Sequence, residues 1–341
     1  MRRVSGFLIG VGHVGRAFME LLDQKGTLLR DRYAFDLALV GAADRGGVAL
    51  DPRGLSLSQL LSIKGARGTV AAHPQGRPGA SGLEAMDQVA ADLLLEASPT
   101  NLDDGQPGLS HIRAALERGW HVVSANKGPL VVAYSELAAL ARSKGVQLLH
   151  SGAVAGALPT VNIGQRDLAG CRIQRIEGLL NATTNYILTR MEQGISLEEA
   201  LGEAQRIGIA EANPRLDLEG WDAANKLLLL SHSVLHHPVS LRDIQVQGIL
   251  EIGANDLRQA RARGETIKLL AVAEAHGDGY KLSVRPRRLP LDHPLARLGG
   301  QEMGILYETD SMGTLVASIR ERGPMGTAAA MLRDVIAIFG G

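Results

Sequence analysis

The chain has 341 residues, 45% of them hydrophobic, with 36 basic and 36 acidic side chains and a formal charge of zero. That length suggests about two domains around a large core, and the balanced charge gives no electrostatic case for nucleic acid or an anionic membrane surface as a partner. A single cysteine, Cys171, excludes a disulfide within the chain and reads as a buried small residue. No apolar run approaches the roughly 20 residues of a membrane span, so a cytoplasmic protein with small-molecule partners is expected.

Residues 4–9 form a short apolar strand that runs directly into Gly10-Val-Gly12-His-Val-Gly15, followed by a helical pattern over 16–22. This order reads as a dinucleotide-binding turn. Gly10 permits the tight bend, Gly12 lets the backbone approach a pyrophosphate, and Gly15 allows helix to pack on strand. His13 and Val14 lie at the helix N-terminus, where negative charge is favoured. The second strand, 37–43, ends at Asp44, where an acidic side chain would accept hydrogen bonds from an adenine ribose. Arg45 beside it could instead meet a 2′-phosphate, so NAD and NADP both stay open, as does a plain turn role for Asp44. The spacing from Gly15 to Asp44 is longer than usual, which predicts a longer first helix and loop through Asp31-Arg-Tyr33.

Ser56 to Gln59 reads as a capped helix start, 73–82 as a Gly/Pro-rich loop, and 92–98 as a buried strand whose end, Glu96 to Thr100, should rim the site with Ser98 and Thr100. A helix over 111–119 and a buried strand over 121–125 then bring Asn126 and Lys127 to a strand's C-terminal end, where open parallel sheets bind ligands. Lys127 alone could equally be an ordinary loop lysine. Small residues dominate 149–160, which predicts a domain hinge. Beyond it come a strand over 172–180, a helix over 183–193, a helix capped by Ser196 with Glu199 at its third position, and a strand of a mixed sheet over 280–284. A final apolar helix reaching Phe339 carries Gly326 near its start. The domains are expected at 1–150, with 311–341 returning to it, and at 151–310.

Glu211, Asp217, Asp222 and Lys226 lead into a helix that continues Leu227-Leu-Leu-Leu230. A helix apolar over consecutive positions has no solvated side, so Asp222 and Lys226, four apart on one face, should point into protein or a cleft. Burying either unpaired would be expensive. A desolvated lysine has a readily moved pKa and can polarise a carbonyl or deliver a proton, which makes Lys226 a candidate acid.

Taken together, GVGHVG at 10–15, SANKGPL at 124–130, GLLNATTNYILTRM at 178–191, AEANPRLDLEGWDAANKL at 210–227 and the GPMGTAAAML helix resemble the homoserine dehydrogenase family, in the short form without a regulatory ACT domain. The resemblance spans nearly the whole chain. It implies an α/β protein: an N-terminal Rossmann parallel sheet, a second α+β domain with a mixed sheet for substrate and dimer formation, and a C-terminal helix returning to the first domain. It further implies interconversion of L-homoserine and L-aspartate 4-semialdehyde with NADP or NAD, in threonine and methionine biosynthesis, by a homodimer. By position, the family's proton-transferring lysines match Lys226 and Lys127, and its substrate-holding carboxylates match Glu211, Asp217 and Asp222. Asn181, Thr183 and Thr184 fall in the motif beside the substrate, although capping a helix would also explain them.

Four positions depart from the family pattern, one of them in the glycine pair after Ser151, which is reduced here to Gly156-Ala157. Ser151 stands where relatives place the glutamate of a loop that holds a monovalent cation, so no required metal is expected. Asn213 replaces an aspartate, and Ala182 a glycine. These departures keep two rivals in view: a two-domain dehydrogenase of another amino acid or a sugar, and a nucleotide-binding sensor without catalysis.

Overall fold

Near-continuous runs such as Phe7-Leu-Ile9, Leu93-Leu-Leu95 and Val122-Val123 leave no polar face, and such strands are stable only where helices cover both sides of a sheet. In the computed structural model, which describes residues 1–321 and 323–340, these runs form the centre of the first sheet. The elements in order are β1 (Arg2–Ile9), α1 (His13–Tyr33), β2 (Phe35–Asp44), β3 (Gly47–Leu50), α2 (Leu57–Arg67), β4 (Gly76–Pro78), α3 (Gly82–Ala85), β5 (Leu93–Glu96), α4 (Gly108–Glu117), β6 (His121–Ser124), α5 (Lys127–Ser143) and β7 (Leu148–Leu149). The sheet order is β4-β3-β2-β1-β5-β6-β7, parallel from β2 to β7 and antiparallel at the β3 and β4 edge. The strand order reverses at β1, and the crevice beyond the C-terminal ends of β1 and β5 is where such sheets receive ligands.

The long spacing before Asp44 is helix. α1 runs 21 residues and stops where Ala34 turns left-handed at φ 58°. The expected loop at 73–82 contains the edge strand β4, because Gly76–Pro78 pairs with Gly47–Ala49.

The second unit, residues 158–321, holds α6 (Thr160–Asn162), β8 (Ile173–Leu179), α7 (Ala182–Glu192), α8 (Leu197–Arg206), α9 (Arg215–Leu218), α10 (Trp221–Ser233), β9 (Ile244–Val246), α11 (Ala254–Ala262), β10 (Glu265–His276), β11 (Gly279–Pro290), β12 (Glu302–Thr309) and β13 (Thr314–Arg320). Its sheet is mixed, in the order β13-β12-β8-β10-β11-β9, with only the β11–β9 pair parallel. The strand expected at 280–284 is the middle of β11, a partner of β10 through a two-residue turn at Gly277-Asp278. The capping box at Ser196 and Glu199 opens α8. Cys171 is half-buried rather than buried, with the Ser311 hydroxyl 3.3 Å from its sulfur.

The first unit comprises 1–157 and takes in the chain again from 323 on, whose helix is α12 (Pro324–Phe339). This corrects the expected return at 311: residues 314–320 pair with β12 as β13, so they belong to the second sheet. The division after residue 157 likewise falls later than the expected 150. α12 packs Ala328, Met331, Leu332, Val335 and Phe339 into one core with Phe18, Leu22 and Leu29 of α1 and Leu8 of β1.

Candidate functional site

In the first unit, Gly10 has φ +100°, and a Cβ there would lie 2.2 Å from the Ala97 carbonyl. Only glycine lets the β1 turn touch the β5 end. At Gly15 a Cβ would lie 2.1 Å from the Gly10 oxygen, so that glycine is a packing requirement of α1 on the turn. Gly12 differs, because a Cβ there would meet no protein atom within 4 Å. The fold does not demand glycine at position 12; an approaching ligand would. Gly12 is the N-cap of α1 with no side-chain cap, and exposed His13 and half-buried Val14 open the helix. Backbone N–H groups at such a terminus suit a pyrophosphate, so the turn fits a dinucleotide.

Asp44 does more than the sequence suggests. Its Oδ1 accepts from Gly46 N at 2.8 Å and Thr69 Oγ1 at 2.7 Å, and its Oδ2 from Val70 N at 2.9 Å and Lys64 Nζ at 2.7 Å. Burial pushes this carboxyl up, but the hydrogen bonds from Lys64, Thr69 and the two amides outweigh it and hold the group below the usual carboxylate range. A carboxylate has about four acceptor positions, and all four are used within the unit. Arg45 is exposed.

At the C-terminal ends of β5 and β6 lies a second polar cluster. Glu96, fully buried, accepts from Ser98 N at 2.8 Å, from the Ser98 hydroxyl, and from His111 Nδ1 at 3.0 Å. Asn126 caps α5 by accepting from Gly128 N at 3.0 Å and donates its amide to Ser98 Oγ at 3.2 Å. Lys127 follows as the first residue of α5, half-buried. Thr100 is exposed beyond this cluster, and Gly326 lies in the first turn of α12.

In the second unit, α10 is buried at every position from 222 to 231 except Lys226, which is half-buried. Lys226 Nζ lies 2.7 Å from Asp222 Oδ2 and donates to Leu180 O at 2.7 Å. The same Asp222 oxygen accepts from Asn181 Nδ2 at 2.8 Å, and that amide also donates to Asp217 Oδ1 at 2.6 Å. Asn181 is at once the N-cap of α7, accepting from Thr184 N at 2.8 Å, and the link between two carboxylates. One amide therefore ties a lysine, two acids and a helix start into a single network.

The hydroxyls of Thr183 and Thr184 are used internally, donating to Ile209 O at 3.1 Å and to Asn181 O at 3.2 Å. Capping and anchoring account for them. Glu211 is exposed, and its carboxylate is outside the hydrogen bonds that join Asp217, Asp222 and Lys226. Asn213 is exposed and accepts from Arg215 N at 3.3 Å. Two cavities in this unit, about 310 and 490 Å³, lined by Glu192, Arg261 and Glu265 and by Cys171, Arg172 and His236, include none of these residues.

The loop opening at Ser151 holds a carboxylate that the sequence reading missed. Ser151 donates its amide to Asp334 Oδ2 at 2.9 Å and its hydroxyl to Asp334 Oδ1 at 2.6 Å, and Asp334 is fully buried on α12. An aspartate inside Met331-Leu-Arg-Asp-Val-Ile336 was the available signal, since an acid in an apolar run needs a partner. Both of its oxygens already accept from Ser151, and among the described residues no group of three or more His, Cys, Asp or Glu could hold a metal. Next to it, His150 is buried with neither ring nitrogen hydrogen bonded among the described residues, and it stands edge-on to Tyr134 at 5.3 Å. Burial pushes its pKa down to about 4.

Residues 10–151 match the family model described as homoserine dehydrogenase, NAD binding domain, and residues 159–336 match that of homoserine dehydrogenase. The homoserine dehydrogenase of Methanocaldococcus jannaschii is 38% identical over 333 residues, covering 97% of each chain. The NAD(+)-dependent homoserine dehydrogenase of Pseudomonas canavaninivorans is 35% identical, over 97% of this chain and 95% of its own. A crystal structure from Archaeoglobus fulgidus assigned to the same enzyme superposes with a TM-score of 0.90 at 35% identity, covering 100% of both chains.

Proposed function

The chain belongs to the homoserine dehydrogenase family, an NAD(P)-dependent oxidoreductase acting on homoserine, and from that premise we propose which of its residues carry the reaction. Lys226 is the acid/base. In the reducing direction the nicotinamide supplies a hydride to the aldehyde carbon, and the oxygen gains charge that a nearby cation must meet before it is protonated. Lys226 is supported in this role by its anchoring: Asp222 and Leu180 O take two of its three N–H groups at 2.7 Å each, which leaves one for the substrate oxygen. This anchoring carries the reading.

Asp217 and Asp222, oriented by Asn181, together with Glu211, grip the substrate ammonium, while Thr183 and Thr184 keep the start of α7 in place. In the first unit, Gly10, Gly12, His13, Val14 and Gly15 take the pyrophosphate of NAD or NADP. Ser98, Thr100, Asn126 and Gly326 border the rest of the nucleotide, and Lys127 positions or shares the proton. At the ribose end, Asp44 would have to surrender an internal hydrogen bond to hold a diol, whereas the exposed Arg45 would surrender none.

The partner implied for the second unit is another copy of this chain, in a cytoplasmic homodimer. Support comes from Val316 on edge strand β13 and from Leu250 within the apolar 249–252 segment, which are 42% and 55% exposed. Sedimentation at micromolar concentration should give twice the chain mass; a monomer would end that part of the reading.

The catalytic test is direct. Purified protein should reduce NAD or NADP with homoserine, and Lys226→Ala should lower kcat by 100-fold or more with nucleotide affinity within about threefold of the parent. Equal loss of turnover and nucleotide binding would make Lys226 a structural residue.

A further inference from the structure

Glu96 is a carboxylate with no exposed surface at the sheet edge where β1, β5 and β6 end. A fold that needed only volume there would be better served by an apolar residue, because a buried charge must recover its lost hydration from donors. Glu96 recovers it from three elements. Its Oε1 accepts from Ser98 N at 2.8 Å and from the Ser98 hydroxyl, which turns the chain as it leaves β5, and lies 3.5 Å from Asn126 Nδ2 beyond β6. Its Oε2 accepts from His111 Nδ1 at 3.0 Å on α4. The surroundings are closely packed: a Cβ on Gly108 would lie 2.7 Å from Asn126 Nδ2 and 3.5 Å from Glu96 Oε1, and a Cβ on Gly10 would meet Ser98 N at 2.3 Å.

We propose that Glu96 is the positioning residue of the nucleotide site: one oxygen holds Ser98 and the Asn126 amide in register, and through Asn126, the cap of α5, it sets where Lys127 begins. The proposal rests on the reading that Ser98, Asn126 and Lys127 border the bound nucleotide. Asn126 divides its amide among Glu96 Oε1, Ser98 Oγ at 3.2 Å and Pro99 O at 3.4 Å while its own oxygen caps Gly128 N. Removing the Glu96 oxygen frees the Ser98 turn directly and leaves the Asn126 amide, which steadies the cap, to Ser98 Oγ and Pro99 O. The role requires an acceptor at Oε1 rather than a charge. A glutamine can place its oxygen there and turn its amide toward His111, whose ring accepts in its other tautomer.

The test compares Glu96→Leu, Glu96→Gln and Gly12→Ala in the full-length protein, reading NADH and NADPH dissociation constants by fluorescence, kcat, and KM for homoserine. Glu96→Leu should weaken nucleotide binding at least 10-fold and lower kcat while homoserine KM stays within twofold. Glu96→Gln should keep nucleotide affinity within about threefold. Should Glu96→Leu fail to fold, Glu96→Asp withdraws the same oxygen by one methylene and should weaken nucleotide binding by several-fold. A folded Glu96→Leu or Glu96→Asp with parental affinity and kcat overturns the proposal, as does a Glu96→Gln no better than the leucine variant. If Gly12→Ala loses nucleotide while the Glu96 variants do not, the nucleotide site stands and Glu96 falls; if neither matters, the site reading falls with it.

Discussion

Replacing Asp222 by asparagine removes a charge while leaving the shape of the network. The side-chain oxygen of asparagine can take the place of Oδ2, which accepts from Lys226 Nζ at 2.7 Å and from Asn181 Nδ2 at 2.8 Å. Both hydrogen bonds then survive as neutral-acceptor bonds, roughly half as strong as charge-assisted ones, a loss of about 1 kcal/mol each. The gross attraction given up is larger: two unit charges 2.7 Å apart attract by about 6 kcal/mol at an effective dielectric of about 20. Most of that is offset by hydration the charges gave up on burial. The expected net cost is therefore about 2–3 kcal/mol, which for a unit of this size lowers Tm by roughly 5–10 °C. Because the lysine also loses its counter-ion, kcat should fall at least 10-fold in the same variant. Differential scanning calorimetry and steady-state kinetics read the two effects. A variant with Tm within 1 °C of the parent and kcat within twofold would refute the argument that this pair organises the site.

Gly12→Ala and Gly10→Ala should part company: the first adds a methyl that meets no protein atom, so folding is preserved and nucleotide affinity drops 10-fold or more. The second forces a Cβ to 2.2 Å from Ala97 at φ +100° and should give little folded protein. Circular dichroism and nucleotide titration distinguish them. His150 is held near pKa 4 in the fold against about 6.5 when unfolded, so the unfolded state binds the extra proton first and stability falls as pH drops from 6.5 towards 4. Between pH 7 and 5 the loss should be about 2 kcal/mol, and His150→Phe, which keeps the edge contact with Tyr134, should abolish that part of the pH dependence in urea unfolding.

The sheet centre, the glycine turn and the Asp222–Lys226 pair were legible because each is local: a buried strand is an apolar run, and a pair four apart on a helix shares a face. Three features escaped because they are made at long range. Asp44 was readable as a ribose acceptor or a turn aspartate, but not its bonds with Lys64, Thr69 and Val70, which arrive 20–26 residues later. Ser151 looked like a loss of charge until Asp334, 183 positions away, came to lie against it. The return to the first unit was placed too early, since nothing in 314–320 says whether a strand alternating in exposure joins one sheet or the other. Thr183 and Thr184 resisted assignment for a different reason, because a motif read from relatives does not separate a helix cap from a substrate contact.

The way α12 completes the first unit bears on how the chain is made. Leu8, Phe18 and Leu29 find their covering side chains, Met331, Leu332 and Val335, only after some 300 intervening residues have left the ribosome. During that interval the nucleotide-binding lobe is an unfinished body with a greasy flank, while the sequence nested inside it, 158–321, already contains everything its own sheet needs. The first unit is thus completed only by a segment translated after the whole of the second.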